Sequence, residues 1–301
     1  MWFKNLCLYR FTKPLDLATE ALEEQLAGRR FQPLGRLQPE TMGWTEPLGK
    51  EGTQLVHATG GYLMLCARRE EKILPAAAVR ELLEARLEEV EAREGRKVHG
   101  REKQRMKDEV LHDMLPRAFS RSQRQYAYLD PRNGWLVIDS ASSSRAEAFI
   151  GLLRETLGSL PVVPFQVEEA PAAHMTRWLL EQRAPSGFDV ADECELRATG
   201  EEAGVVRIRK EDLFSEEVRS HLDAGKQVTR LALIFDERIG FLLDEELRLK
   251  RLRFEDVVLD EAAETGAETP AEHFDADFSL MTLELSRLLS RLTELFGGMK
   301  H

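Results

Sequence analysis

Between Asp277 and Phe296 the sequence places Phe278, Met281, Leu285, Leu288, Leu292 and Leu295 at alternating spacings of three and four residues, and Leu289 and Phe296 widen the stripe. This spacing puts every one of them on one side of a long helix. Such a stripe has two uses. Three heptads of an a/d seam can pair with a second chain. A stripe this wide suits a globular core better, so the helix is expected to dock on the protein's own sheet.

The strands for that sheet are legible by alternation and turn chemistry. Trp2 to Phe11 reads as a strand with Trp2, Leu6 and Leu8 facing inward. Residues 55–59 and 62–67 read as a hairpin around Gly60-Gly61, and Tyr126–Leu129 with Trp135–Asp139 as a second hairpin. Further strands are expected at 161–165, 188–197, 205–210, 227–235, 239–243 and 249–254. Helices are expected at 15–26, with Asp16 near its start, and at 79–94, 101–115, 143–157, 175–182 and 215–224. Residues 31–47 and 260–270 read as irregular, the first from its Pro and Gly content and the second from its acidity.

The fold class is therefore α+β, with mixed or antiparallel sheets and packed helices in a multi-lobed subunit. Residues 1–74 with 125–170 form an N-terminal α+β region, 75–124 a helical basic projection, and 171–301 a C-terminal α+β region that ends in the striped helix.

The projection carries an anomaly of charge. From Arg93 to Arg124 the chain holds ten basic and five acidic residues, a net of +5 in a protein whose net charge is −11. The remainder therefore carries −16. A basic island in an acidic chain points to a local polyanion site. Its candidate contacts are Lys97, Arg101, Lys103, Arg105, Lys107, Arg117, Arg121 and Arg124. Met106, Val110, Met114 and Leu115 give 101–115 one apolar side, and Pro116 stops the helix. The following RAFSRSQR reads as a loop with three arginines and no acid, and arginine forks bind phosphate bidentately. Phe119 stands between Arg117 and Arg121. It can fold back on Leu115, stack on bases, or enter a pocket of a partner subunit. A solvated helix of mixed charge is the competing reading of the helical part.

Several chemistries find no support. No histidine forms HExxH or stands at zinc-ligand spacing with Cys7, Cys66 or Cys194, and there is no GxSxG elbow. The three cysteines form no CxxC pair, which suggests reduced thiols in or beside strands and a reducing cytoplasm. GWTEPLGKE, from Gly43, has the wrong glycine spacing for a phosphate loop and an acid where Ser or Thr should hold magnesium. Asp244, Glu245 and Glu246 could hold a metal for nuclease work, yet acids this dense arise by chance in an acidic chain. No run reaches membrane-spanning length. No cofactor is expected.

Read from end to end, the sequence resembles the bacterial RdgC family of recombination-associated DNA-binding proteins. The resemblance rests on WFKNL at Trp2, MGW at Met42, EEKILP ending at Pro75, KDEVLHDMLPRAFSR from Lys107, GSLPVVP from Gly158, VTRLAL from Val228, LKRLRF from Leu249 and FDADFSLMTLEL from Phe274. It implies a non-enzymatic, nucleoid-associated protein that binds duplex DNA with little sequence preference. It further implies a ring-shaped homodimer whose basic hole accommodates duplex DNA, with Phe119 at ring closure. Such a ring restrains the RecA recombinase by occupying DNA. The choice between double and single strands stays open. By the same resemblance Lys210 and Lys226 join the DNA contacts. The island agrees, because backbone binding needs cations and no base-reading helix, and no helix-turn-helix, zinc-finger or basic-zipper signature is present. The rival readings are an interaction scaffold dimerising through the striped helix and a metal-dependent nuclease.

Overall fold

The computed structural model describes residues 1–15, 18–198, 200 and 204–300. Asp16, expected near the start of the first helix, lies outside them. Twelve strands and eight helices run in the order β1 (Leu6–Phe11), α1 (Thr19–Ala27), β2 (Glu40–Thr45), β3 (Val56–Thr59), β4 (Tyr62–Lys72), α2 (Ala76–Glu94), α3 (Gly100–Met114), β5 (Ser120–Asp130), β6 (Trp135–Asp139), α4 (Ser143–Leu157), β7 (Val162–Pro164), α5 (Pro171–Leu180), β8 (Phe188–Arg197), β9 (Val205–Arg209), α6 (Glu216–Asp223), β10 (Gln227–Phe235), β11 (Ile239–Asp244), β12 (Leu249–Phe254), α7 (Asp256–Ala263) and α8 (Pro270–Leu295) among the described residues.

All twelve strands join one sheet, in the order β2-β4-β5-β6-β1-β12-β11-β10-β8-β9, with β3 added to β4 and β7 to β1. Every ladder is antiparallel. The two halves of the chain meet at β1, where Leu6 pairs with Leu249 of β12 while Tyr9–Phe11 pair with β7. The Leu252 amide donates to the Lys4 carbonyl at 2.8 Å and extends that seam.

Alternation along the strands feeds two cores. Cys7 and Tyr9 of β1 join Leu63, Leu65, Ala127, Leu129, Leu136 and Ile138, which α1 and α4 cover through Leu22, Leu26, Phe149 and Leu153. Leu6 and Leu8 join Met64, Tyr128 and Val137 on the other core, with the inner residues of β8 and β10–β12. The α8 helix covers this second core. Phe278, Met281, Leu285, Leu288 and Leu292 are fully buried there, so its stripe is used within the subunit. Thr269 and Glu272 close a capping box at its start.

Several elements depart from the sequence expectation; α8 already begins at Pro270, α5 spans Pro171–Leu180 and β4 runs on to Lys72. The first strand begins at Leu6, and Trp2 packs instead on Phe254, ring centroids 4.6 Å apart. Residues 31–47 are not wholly irregular, because β2 forms on β4. Its Trp44 is buried edge-on against Phe149 and donates to the Thr156 hydroxyl at 2.9 Å. Gly43 is required there, since a Cβ would meet the Phe31 Cα at 2.6 Å. Residues 260–263 are helical, because Val258 and Ala262, four residues apart, bury one side of α7. Finally, residues 120–124 are strand and not loop. They pair with β4 in continuous register from Lys72↔Ser120 to Leu63↔Leu129.

Candidate nucleic-acid interface

Strands β4 and β5 run past the core and carry the α2–α3 hairpin between them. The foot is closed by the Ile73 amide donating to the Phe119 carbonyl at 2.8 Å and by Lys72 Nζ donating to the Ala118 carbonyl at 3.2 Å. The hairpin has a small core of its own, Leu83, Val98 and Met106, with Leu87 and Val90 against it. Gly95 ends α2 in the left-handed conformation (φ 66°), the usual role of glycine at a helix C-terminus.

The candidate cations divide by what holds them. Lys97 is tied to Glu91 at 2.6 Å, and the same carboxylate accepts from the Val98 amide at 3.0 Å. The hydrogen bond from Lys97 holds Glu91 below the usual carboxylate range and raises the ammonium in turn. Lys97 thus helps to fasten the turn between α2 and α3. Arg105 faces Glu109 at 3.5 Å, one turn on. Arg121 pairs across the ribbon with Glu71, its Nε at 3.2 Å, and this bond holds Glu71 low. Arg124 leans over Gly49, and the neighbouring Tyr126 raises its guanidinium.

Arg101, Lys103, Lys107 and Arg117 are exposed, and among the described residues no carboxylate lies within 4.0 Å of any of them. Arg101 with Arg105, and Lys103 with Lys107, form two like-charged rows at i,i+4, a spacing that weakens a helix on its own. Neighbouring Phe119 is 84% exposed and does not fold into the subunit core. It borders a shallow apolar groove with Ile73, Leu82, Val110 and Met114.

Lys210 and Lys226 lie elsewhere. Lys210 follows β9, the strand at the opposite end of the sheet from β2 and β4. It is exposed in a left-handed conformation (φ 59°), and its amide donates to the Asp192 carbonyl at 2.7 Å. Lys226 precedes β10, half-buried, with its Nζ 3.2 Å from His221 Nδ1. One subunit therefore does not gather all ten candidate cations into one patch.

The nuclease candidates are engaged as acceptors of ion pairs. Asp244 binds Arg248 at 2.8 Å and Lys250 at 3.0 Å, Glu246 binds Arg248 at 2.8 Å, and Glu245 binds Arg197 at 3.3 Å. No group of three or more His, Cys, Asp or Glu side chains among the described residues is arranged to hold a metal ion. The cysteines are unpaired and buried in β1, β4 and β8. No helix among the described residues is long and apolar enough to cross a membrane.

A second set of cations escapes a reading of the sequence. Arg207, Arg209, Arg230, Lys250 and Arg251 border one groove on β8–β12. Their signal, basic residues alternating with apolar ones in VVRIR and LKRLRF, is the same as that of any half-exposed strand.

The fold and this surface define a class: a protein built on one large antiparallel sheet, from which projects a helical hairpin that carries exposed basic residues on α3 and at its foot. Comparison with known proteins makes the assignment specific. A family model described as "Putative exonuclease, RdgC" matches residues 1–299. The chain is 45% identical over 300 residues to the recombination-associated protein RdgC of Halorhodospira halophila, covering 100% of this chain and 99% of that one. It is 42% identical over 300 residues to the protein of that name from Tolumonas auensis, with 100% and 99% covered. For Yersinia enterocolitica the figures are 43% over 298 residues, with 99% and 98% covered. The chain belongs to the RdgC family of recombination-associated proteins.

Proposed function

We propose that the protein is a non-enzymatic, sequence-independent duplex-DNA binder that acts in recombination as a ring-shaped homodimer around DNA and restrains RecA by occupying its substrate. The observation that carries this reading is the set of four exposed cations, Arg101, Lys103, Lys107 and Arg117, without carboxylate partners among the described residues of a net-acidic protein. Charges left unneutralised on a helix weakened by its own like-charged rows have a use when phosphates supply the counter-charge. The projection offers no base-reading helix, so the contacts position without specifying.

Ring closure joins two projections through Phe119, whose ring has an apolar groove of the same character beside it. A groove and a knob on one surface suit an isologous contact, in which each copy's knob enters its partner's groove. Closure around DNA also brings Lys210 and Lys226 of both subunits toward one duplex, although a single subunit keeps them apart from the projection.

The test is binding of full-length protein to unrelated duplexes of equal length across a range of salt. Affinities should agree within a few-fold and fall steeply with salt. Reversing Lys107 and Arg117 to glutamate should weaken every duplex alike and lower the salt slope by about two, one for each phosphate left without its cation. A marked preference for one sequence, or unchanged affinity in the folded variant, would overturn the reading. The nuclease alternative is tested by incubation of duplex with magnesium or manganese, where the DNA is expected to stay intact.

A further inference from the structure

The face of β8–β12 turned away from α8 holds more cations than its acids neutralise. Glu195, whose side chain is 5% exposed, receives Arg207 at 2.8 Å, Arg230 at 3.0 Å and Arg197 at 3.5 Å. Glu193, 18% exposed, receives Arg251 at 2.6 Å and Arg209 at 3.2 Å. Arg197 is shared with Glu245 at 3.3 Å, so the other four guanidinium groups rest on two carboxylates. Burial pushes the Glu195 carboxyl up, but the bond from Arg207 and the charge of Arg230 outweigh it and hold the acid low and ionised.

Register explains the arrangement. Glu195 stands opposite Arg207 on β9 and Arg230 on β10, and Glu193 opposite Arg209. Arg251 reaches Glu193 from β12, which is not a neighbouring strand. It does so from a left-handed residue (φ 50°) where the β11–β12 register shifts, as bulges re-aim side chains. One arginine per carboxylate would suffice to satisfy each acid. The surplus is positive, and guanidinium N–H groups not used on the acids face solvent.

The array has the pitch of a repeating anion. Arg207 and Arg209 are two residues apart on one strand, about 6.7 Å, and the rows on neighbouring strands are about 4.8 Å apart. A single small ion would use one such row. The groove between them is also walled by Asn5 and Ala141, which line a second groove with the exposed Lys4 and Arg145, beside Glu71 and Asp139. Cations therefore continue from the β9 edge to Lys4 and to the start of α4 at Arg145.

We propose that this carboxylate-braced arginine lattice is a second phosphate track for duplex DNA, running from Arg207 and Arg209 toward Lys4 and Arg145. It rests on the DNA-binding reading above and adds contacts outside the projection. The buried acids act as positioning residues that hold the guanidinium groups in rank, which reduces the ordering cost when phosphates bind.

The test uses Arg207→Gln with Arg209→Gln in the full-length protein. Glu195 then keeps Arg230 and Arg197, and Glu193 keeps Arg251, so no buried acid is left alone. Binding to unrelated duplexes is measured against salt beside the wild type and the Lys107/Arg117 variant. The track predicts equal weakening on all sequences, a salt slope lower by about two, and a preserved melting temperature. Arg207→Lys with Arg209→Lys keeps both charges and should restore most of the slope, which separates loss of charge from disturbed folding. Unchanged affinity and slope in the Gln variant would overturn the track, and weakening in the Lys107/Arg117 variant alone would show that DNA binding itself stands. A wild type that does not bind duplex would overturn both.

Discussion

Phe119 is the residue at which local reasoning and the structure bear most directly on each other. Its ring is 84% exposed, so folding back on Leu115 does not describe the subunit. An exposed ring contributes little to the fold by burial. Phe119→Ala should therefore leave the melting temperature of a dilute subunit within about 2 °C of wild type, while subunit exchange and release of DNA accelerate. A large fall in melting temperature with dimerisation unaltered would place Phe119 in the subunit core and remove it from ring closure. Arg121 makes the complementary point. It reads in the sequence as a free phosphate ligand, yet the tertiary structure gives it Glu71 across the ribbon. That pairing is hidden in the sequence because the acid lies 50 residues earlier in the chain.

At the scale of elements, periodicity is informative wherever an element buries one side. The α8 stripe is readable because six of its residues repeat at helical spacing, and the burial of Leu288 at 0% exposure confirms which side is used. Leu288→Ala should cost about 2–5 kcal/mol by removing methyl groups from a closed core, read from denaturant unfolding monitored by circular dichroism. A loss below about 1 kcal/mol would mean that α8 faces a yielding surface and not a packed core. Strand residues 120–124 are not readable, because both of their sides are exposed and the apolar alternation that marks a strand is missing. What orders them is the partner. β4 supplies a ladder ten residues long, with Arg68 Nε donating to the Ser122 hydroxyl at 2.7 Å and the Arg121–Glu71 pair beside it. Cross-strand pairs of this kind are invisible to any window of local sequence.

At the scale of the whole molecule, the sequence suggests N-terminal and C-terminal α+β regions, and the fold merges their strands in one sheet. One core holds Leu6, Leu8, Tyr128 and Val137 from the first half with Phe278, Met281 and Leu285 from α8. Neither half can expose its share of that core without exposing the other's. Calorimetry should therefore record these two regions melting in a single transition, with any separate event confined to the α2–α3 hairpin, whose small core is its own. Two separated transitions of comparable size would show that the seam at Leu6 and Leu249 is a weak joint between independent domains.

The sequence by itself determined the α+β class, most strands and helices, the burial of α8 and the location of the basic island. Each of these depends on spacing along the chain, which turn and strand geometry convert directly into sides and ends. Only the tertiary structure decided which cations are committed to carboxylates and which remain available. It alone placed Arg207, Arg209 and Arg251 in one lattice and set Lys210 at the far end of the sheet from the projection. The reason is physical: an ion pair depends on distance through space, and Glu193 meets Arg251 only after β8 and β12 have taken their places in the sheet.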